Sequence, residues 1–221
     1  MSARGRFITL EGGEGAGKSL QARRLEERLK ESGIRVLRTR EPGGSPQAEI
    51  LREAILSGFL APYGPEAEAL AFAAARVDHL DITILPALES GIWVVSDRFA
   101  DSTRVYQGAA SKLPEAFIAR LEQAAVGANR PDLTLILDLP AEQGLGRAAK
   151  RRGGDAPDRF ESEGLFFHET LRRAFLAIAE AEPERCVVID AASDENTVAE
   201  AIWSAVESRL DPASLLKLAA P

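Results

Sequence analysis

The chain has 221 residues, 45% of them hydrophobic and 28% charged, a length that suits one well-buried domain and a composition that excludes disordered and fibrous classes. With 27 Lys and Arg against 34 Asp and Glu the net charge is −7, which argues against a nonspecific electrostatic grip on nucleic acid or membrane. One cysteine, Cys186, rules out an internal disulfide and cannot by itself make a structural zinc site, so a reducing, cytoplasmic setting fits; the N-terminal apolar run, soon broken by Glu11 and glycines, is too short for a signal peptide or membrane span.

Five short apolar runs read as buried strands: Phe7 to Leu10, Val36 to Leu37, Ile92 to Val95, Leu133 to Leu137 and Cys186 to Ile189. Between them the spacing predicts helices over Leu20 to Ser32, Ala48 to Leu56, Glu66 to Glu89, Glu115 to Val126, Leu165 to Glu180 and Glu195 to Leu210. In the last of these Val198, Ile202, Val206 and Leu210 form one apolar stripe. Alternating strand and helix predicts an α/β fold with a five-stranded parallel sheet covered on both faces. Residues 147–163, charged and holding glycines and a proline, read as a mobile surface excursion, and the tail from 211 to 221 follows a helix stopped by Pro212.

Gly12-Gly13-Glu14-Gly15-Ala16-Gly17-Lys18-Ser19 matches the phosphate-loop pattern and lies between a predicted strand and a predicted helix, where the chemistry needs it. Small residues let backbone N–H groups turn inward onto phosphate oxygens at a helix N-terminus. Lys18 adds a charge near the β and γ phosphates, Ser19 a hydroxyl for Mg²⁺, and Leu20 completes the nucleotide-binding run. At the end of the third strand Asp97 offers a carboxylate beside that metal, and Arg98 a cation facing the cleft, where a second phosphate could lie. A guanine-nucleotide switch would need a base reader, for which Asn129-Arg130-Pro131-Asp132 is a near miss that reads better as a strand-entry turn.

The phosphate loop, Arg40-Glu41-Pro42-Gly43-Gly44, Phe72-Ala73-Ala74-Ala75-Arg76, Asp97-Arg98-Phe99 and Ser102-Thr103-Arg104-Val105-Tyr106-Gln107-Gly108 together resemble bacterial thymidylate kinases, in order and in spacing, from about residue 6 to residue 210. The resemblance implies the nucleoside monophosphate kinase fold, ATP- and Mg²⁺-dependent conversion of dTMP to dTDP, and a cytoplasmic homodimer. It implies that Phe72 stacks on thymine and Arg76 bonds its edge. Arg98 and Arg52 would hold the acceptor phosphate, with Glu41 and Pro42 nearby, Thr103 and Gln107 on the base, and Tyr106 under the sugar. The plainer reading makes Phe72 a core residue and pairs Arg76 with Asp78. His79 and His168 read as surface or packing residues.

Within the loop Glu14 counts among the catalytic candidates, yet none of its variable positions is basic, so a transition-state cation has to come from elsewhere. The segment 147–163 carries Arg147, Lys150, Arg151, Arg152 and Arg159 and resembles the lid of the subgroup whose catalytic arginine lies there, with Arg151 the first choice and Arg147 the second. Two rivals stay open at this point: a kinase for another deoxynucleotide or nucleoside, and a nucleotide-hydrolysing switch.

Overall fold

In the computed structural model, which describes residues 4–153 and 160–212, five strands form one parallel sheet in the order β2-β3-β1-β4-β5. They are β1 (Phe7–Glu11), β2 (Val36–Arg40), β3 (Trp93–Asp97), β4 (Leu133–Asp138) and β5 (Cys186–Asp190), each overlapping a predicted run. The helices are α1 (Lys18–Glu31), α2 (Pro46–Leu56), α3 (Pro65–His79), α4 (Leu85–Glu89), α5 (Ala100–Thr103), α6 (Glu115–Ala125), α7 (Ala141–Arg152), α8 (Leu165–Ala181) and α9 (Glu195–Leu210).

All five residues of β1 are buried, as expected of a strand covered on both faces. On one face Ile8 and Leu10 pack with Ala22, Leu25 and Leu29 of α1 and with the predicted stripe of α9, whose Val198, Ile202, Val206 and Leu210 are all buried. On the other, Phe7, Val94 and Phe99 pack with Leu80, Ile84 and Leu88, while Ile136 packs with Leu171 and Phe175 of α8. Leu10 lies in register with both Asp97 and Leu135, which brings the carboxyl ends of β1, β3 and β4 level with one another.

Three stretches differ from the sequence expectation. The helix expected over Glu66 to Glu89 is interrupted at Leu80–Ile84 by a wider, π-type turn. Pro86 has no N–H to continue the ladder and its ring would meet the carbonyl of Ile82, so the turn before it opens. The residues after β3 are helical, α5 continuing through wide turns over Arg104–Ala110. Residues 147–152, expected in an irregular excursion, are the last turns of α7, which Gly153 closes at φ 65°. The rest of the expected lid at 154–159, with Arg159, and the tail beyond residue 212 lie outside the described residues.

The glycines of α7 have a tertiary reason. A Cβ on Gly144 would come 2.3 Å from the carbonyl oxygen of Glu14, and one on Gly15 would come 2.0 Å from that of Gly144. The phosphate loop therefore presses on α7 backbone to backbone. Gly146, one turn position on, faces open space. Gly144→Ala is expected to cost about 1–3 kcal/mol by overpacking, whereas Gly146→Ala should gain up to about 1 kcal/mol of helix propensity. In thermal melts the two variants should move in opposite directions, by about 2–4 °C per kcal/mol; equal shifts would remove the claim that the loop rests on Gly144.

Candidate active site

A cleft of about 860 Å³ opens at the carboxyl edge of the sheet, between the segments that follow β1 and β3. The chain leaves β1 toward one edge of the sheet and β3 toward the other, so this is the switch point at which open α/β sheets bind ligands. Every residue singled out above as a site candidate lines the cleft except Gly12 and Gly13. Those two point their carbonyls at Lys18, whose Nζ donates to Gly12 O at 3.1 Å and to Gly13 O at 2.7 Å. Gly17, at φ 86°, takes the left-handed turn that starts α1. Ser19 Oγ donates to Asp97 Oδ2, which sets the hydroxyl and the carboxylate side by side.

Arg98 crosses between the two halves of the cleft. Its φ is 72°, unusual for a residue with a side chain. Its guanidinium donates to Gly12 O at 3.2 Å and to Glu14 Oε1 at 2.5 Å and lies 5.2 Å over the ring of Tyr106. The Tyr106 hydroxyl donates to the same Glu14 oxygen at 2.9 Å. Burial opposes ionisation of Glu14, but the charges of Arg98 and Lys18 and the Tyr106 hydroxyl outweigh it and hold the carboxyl at about 2. Burial, then the neighbouring charge of Arg98, lowers Lys18 to about 8, against the pull of Glu14, Asp97 and Glu11.

The half of the cleft beyond Arg98 rests on a chain of buried hydrogen bonds. Arg76 donates from Nε to Glu41 Oε2 at 2.8 Å, from Nη1 to Thr103 Oγ1 at 3.1 Å and from Nη2 to the Phe99 carbonyl at 3.1 Å. The other oxygen of Glu41 meets His79 Nδ1 at 3.1 Å, and His79 Nε2 meets Thr39 Oγ1 at 2.7 Å. The plainer pairing of Arg76 with an acid thus forms, but with Glu41 and not with Asp78, which accepts from Ser45 Oγ and from the Ala48 N–H. His79 is wholly buried in this network, a role that a lone histidine on a helix does not announce. Arg52 Nη1 donates to the carbonyl of Pro42 at 2.7 Å. Phe72 is half-buried with its ring 6.2 Å from Phe160, and the buried amide nitrogen of Gln107 has no partner among the described residues.

The two arginine candidates of α7 differ. Arg151 is largely exposed and reaches Glu161 at 3.1 Å, whereas Arg147 donates to the carbonyls of Ala191 and Ala192 at 2.8 and 3.2 Å. The loop that follows β5, through Asp194 and Glu195, closes this end, and Gln21 braces it by donating to Glu195 O at 2.9 Å. Sequence reading missed this loop, although its place at the carboxyl end of a strand is a usable signal. Asp132 lies at the opposite edge, accepting from the Phe7 N–H at 2.8 Å and Arg6 at 3.0 Å, so the near-miss guanine reader is a strand-entry brace.

The profile of the thymidylate kinase family matches residues 10–202. The chain belongs to the thymidylate kinase family. It is 58% identical over 211 residues to the thymidylate kinase of Bradyrhizobium diazoefficiens, spanning 96% of this chain and 92% of that protein. With the thymidylate kinase of Nitrobacter winogradskyi it shares 56% over 208 residues, 94% of this chain and 90% of that protein, and with that of Afipia carboxidovorans 58% over 207 residues, 94% and 91%. Each motif quoted for the resemblance lies inside the matched range.

The lowered pKa of Lys18 has a measurable consequence. Phosphates settling on Lys18 favour its charged form and raise its pKa. With Lys18 lowered to about 8, nucleotide binding near pH 8 should take up protons, an uptake that shrinks as pH falls and Lys18 becomes charged beforehand. Titration calorimetry of ATP in buffers of different ionisation enthalpy measures this uptake, and Lys18→Arg should abolish it.

Proposed function

We propose that the cleft holds ATP and dTMP end to end and that the chain acts as one kinase domain, with residues 147–163 as its lid. As a member of its family the chain transfers a phosphoryl group from ATP to dTMP, giving dTDP. The observation that carries the residue assignment is that one cavity joins a phosphate loop to a second pocket built for an anion and a planar base, with the Arg98 and Glu14 pair between them. A switch that only binds and hydrolyses a nucleotide has no use for that second pocket.

Lys18 rests on backbone carbonyls of its own loop and is free to turn onto the donor's β and γ oxygens. Ser19 and Asp97, whose oxygens lie side by side, would hold Mg²⁺, two oxygens being the share this cation commonly takes from protein. Bound there, Mg²⁺ neutralises charge on the phosphates. Arg98 and Arg52 hold the acceptor phosphate, which is already ionised at neutral pH, so no strong base is required. Of the five N–H groups of Arg76, three are spent on Glu41, Thr103 and Phe99, which leaves two for the O4 acceptor of thymine. Phe72 supplies the stacking face, Gln107 an unsatisfied donor, and Tyr106 the bulk that excludes a 2′-hydroxyl.

Arg151, exposed at the mouth of the cleft, is the transition-state cation, and the contacts of Arg147 with the Ala191 and Ala192 carbonyls support a role at the donor end. Exposed Ile50 on α2 with Leu70 and Val77 on one face of α3 supports a homodimer. Among the described residues no helix is long and apolar enough to cross a membrane.

Steady-state kinetics with four acceptors tests the reading: dTMP should be best and dUMP weaker, with dCMP and ribonucleotides worse by roughly tenfold to a couple of hundredfold for each lost contact. Equal turnover of dCMP and dTMP would overturn the roles of Phe72 and Arg76. Arg151→Ala should lower kcat by about two powers of ten or more, with dTMP affinity by calorimetry nearly unchanged; a near wild-type kcat would move the cation to another element.

A further inference from the structure

Glu11 is the last residue of β1, wholly buried, and neither the phosphate-loop pattern nor the acceptor assignments give it a role. Its carboxylate reaches across to the segment after β3. There it accepts from the Phe99 N–H at 2.8 Å, the Ser102 N–H at 3.3 Å and Ser102 Oγ at 2.6 Å. These partners follow directly on the strained backbone of Arg98, whose own N–H is held by the Leu10 carbonyl at 2.9 Å. Ser102 Oγ in turn stands 3.4 Å from the Arg98 guanidinium. From behind, Asp101 is fixed by Arg185 at 2.7 Å and Arg104 at 3.0 Å, which pins the far side of the same short helix.

Glu11 thus stands where the two halves of the cleft are joined. Its main chain runs directly into Gly12, the start of the phosphate loop, while its side chain holds the turn that aims Arg98. We infer that Glu11 is a positioning residue for phosphoryl transfer, fixing Arg98 relative to the phosphate loop without touching either nucleotide. The inference rests on the assignment of Arg98 to the acceptor phosphate. Without an acceptor at position 11, the N–H groups of Phe99 and Ser102 lose their partner, and the turn that carries Arg98 at positive φ is held only by the Leu10 carbonyl and Ser96 Oγ. A displacement of about 1 Å at such a group costs roughly a hundredfold in rate.

Burial and the charge of Asp101 raise the Glu11 carboxyl to about 7, against the hydrogen bonds and Arg98 that lower it. A neutral acceptor of the same shape is therefore close to a form that the residue itself adopts.

The test is a double-mutant cycle on kcat, run on folded variants verified by circular dichroism. Glu11→Leu should lower kcat by about tenfold to a hundredfold, Glu11→Gln should stay within about threefold of wild type, and Glu11→Leu added to Arg98→Ala should change kcat less than about twofold further, because both act at one group. Should Glu11→Leu fail to fold, Glu11→Asp takes its place, since a carboxylate one methylene shorter keeps the charge but cannot reach Phe99; the same loss and the same non-additivity are expected. If folded Glu11→Leu or Glu11→Asp works at wild-type rate, or costs as much without Arg98 as with it, the inference is overturned. An Arg98→Ala variant of wild-type activity would instead defeat the assignment of Arg98 itself.

Discussion

Arg98 stands between the two halves of the cleft, and it stands there in a backbone conformation that an L-residue resists. A positive φ costs about 1–2 kcal/mol, and a buried guanidinium costs several more unless it is paired. Both costs are offset by immediate neighbours: Glu14 takes the charge, the Tyr106 ring lies beneath it, and the Gly12 carbonyl ties it to the phosphate loop. Removing one partner of such a pair leaves an uncompensated buried charge. The pair therefore fixes geometry more than it adds stability. The rest of the cleft can be read as whatever keeps this side chain in place while leaving a negative acceptor room to reach it.

The same logic runs through the half of the cleft beyond Arg98, where charge is placed only against a partner. Arg76 is balanced by Glu41, and Glu41 has its second oxygen against His79, which ends on Thr39. Gly44, at φ 89°, passes so close that a Cβ would come 2.3 Å from the His79 ring, so the turn after β2 and the helix bearing Arg76 are fitted to each other. Lys18 is held differently. Its partners are backbone carbonyls, which release a cation toward a phosphate without leaving another charge behind. The cleft thus sets a rigid arginine against a lysine that can be redirected.

Much of this was legible in the sequence, for identifiable reasons. The strands declare themselves because a parallel sheet buried on both faces needs unbroken apolar runs, and the phosphate loop because its chemistry needs glycines, Lys18 and Ser19 in fixed order. The proposed acceptor roles of Phe72 and Arg76 come from the resemblance, since on their own Phe72 reads better as core and Arg76 as paired with a nearby acid. What stayed hidden depends on tertiary contact. The charges of 147–152 and the glycine at 153 disguise the end of α7 as irregular chain, and nothing in the sequence tells that the carbonyl of Glu14 lies against Gly144. His79 and Glu11 are ordinary in the sequence and acquire meaning only when β1, β2 and α3 bring them to Glu41 and to the segment after β3.

The central claim is that donor and acceptor occupy one continuous cavity with their phosphates converging between Lys18 and Arg98. Competitive titration with adenosine and thymidine joined 5′ to 5′ through a pentaphosphate measures this most directly. The account predicts one molecule bound per chain, displacement of ATP and dTMP together, and an affinity about a hundredfold or more above that of either nucleotide alone. A compound that displaced only one nucleotide, or bound no more tightly than the better of the two, would contradict it.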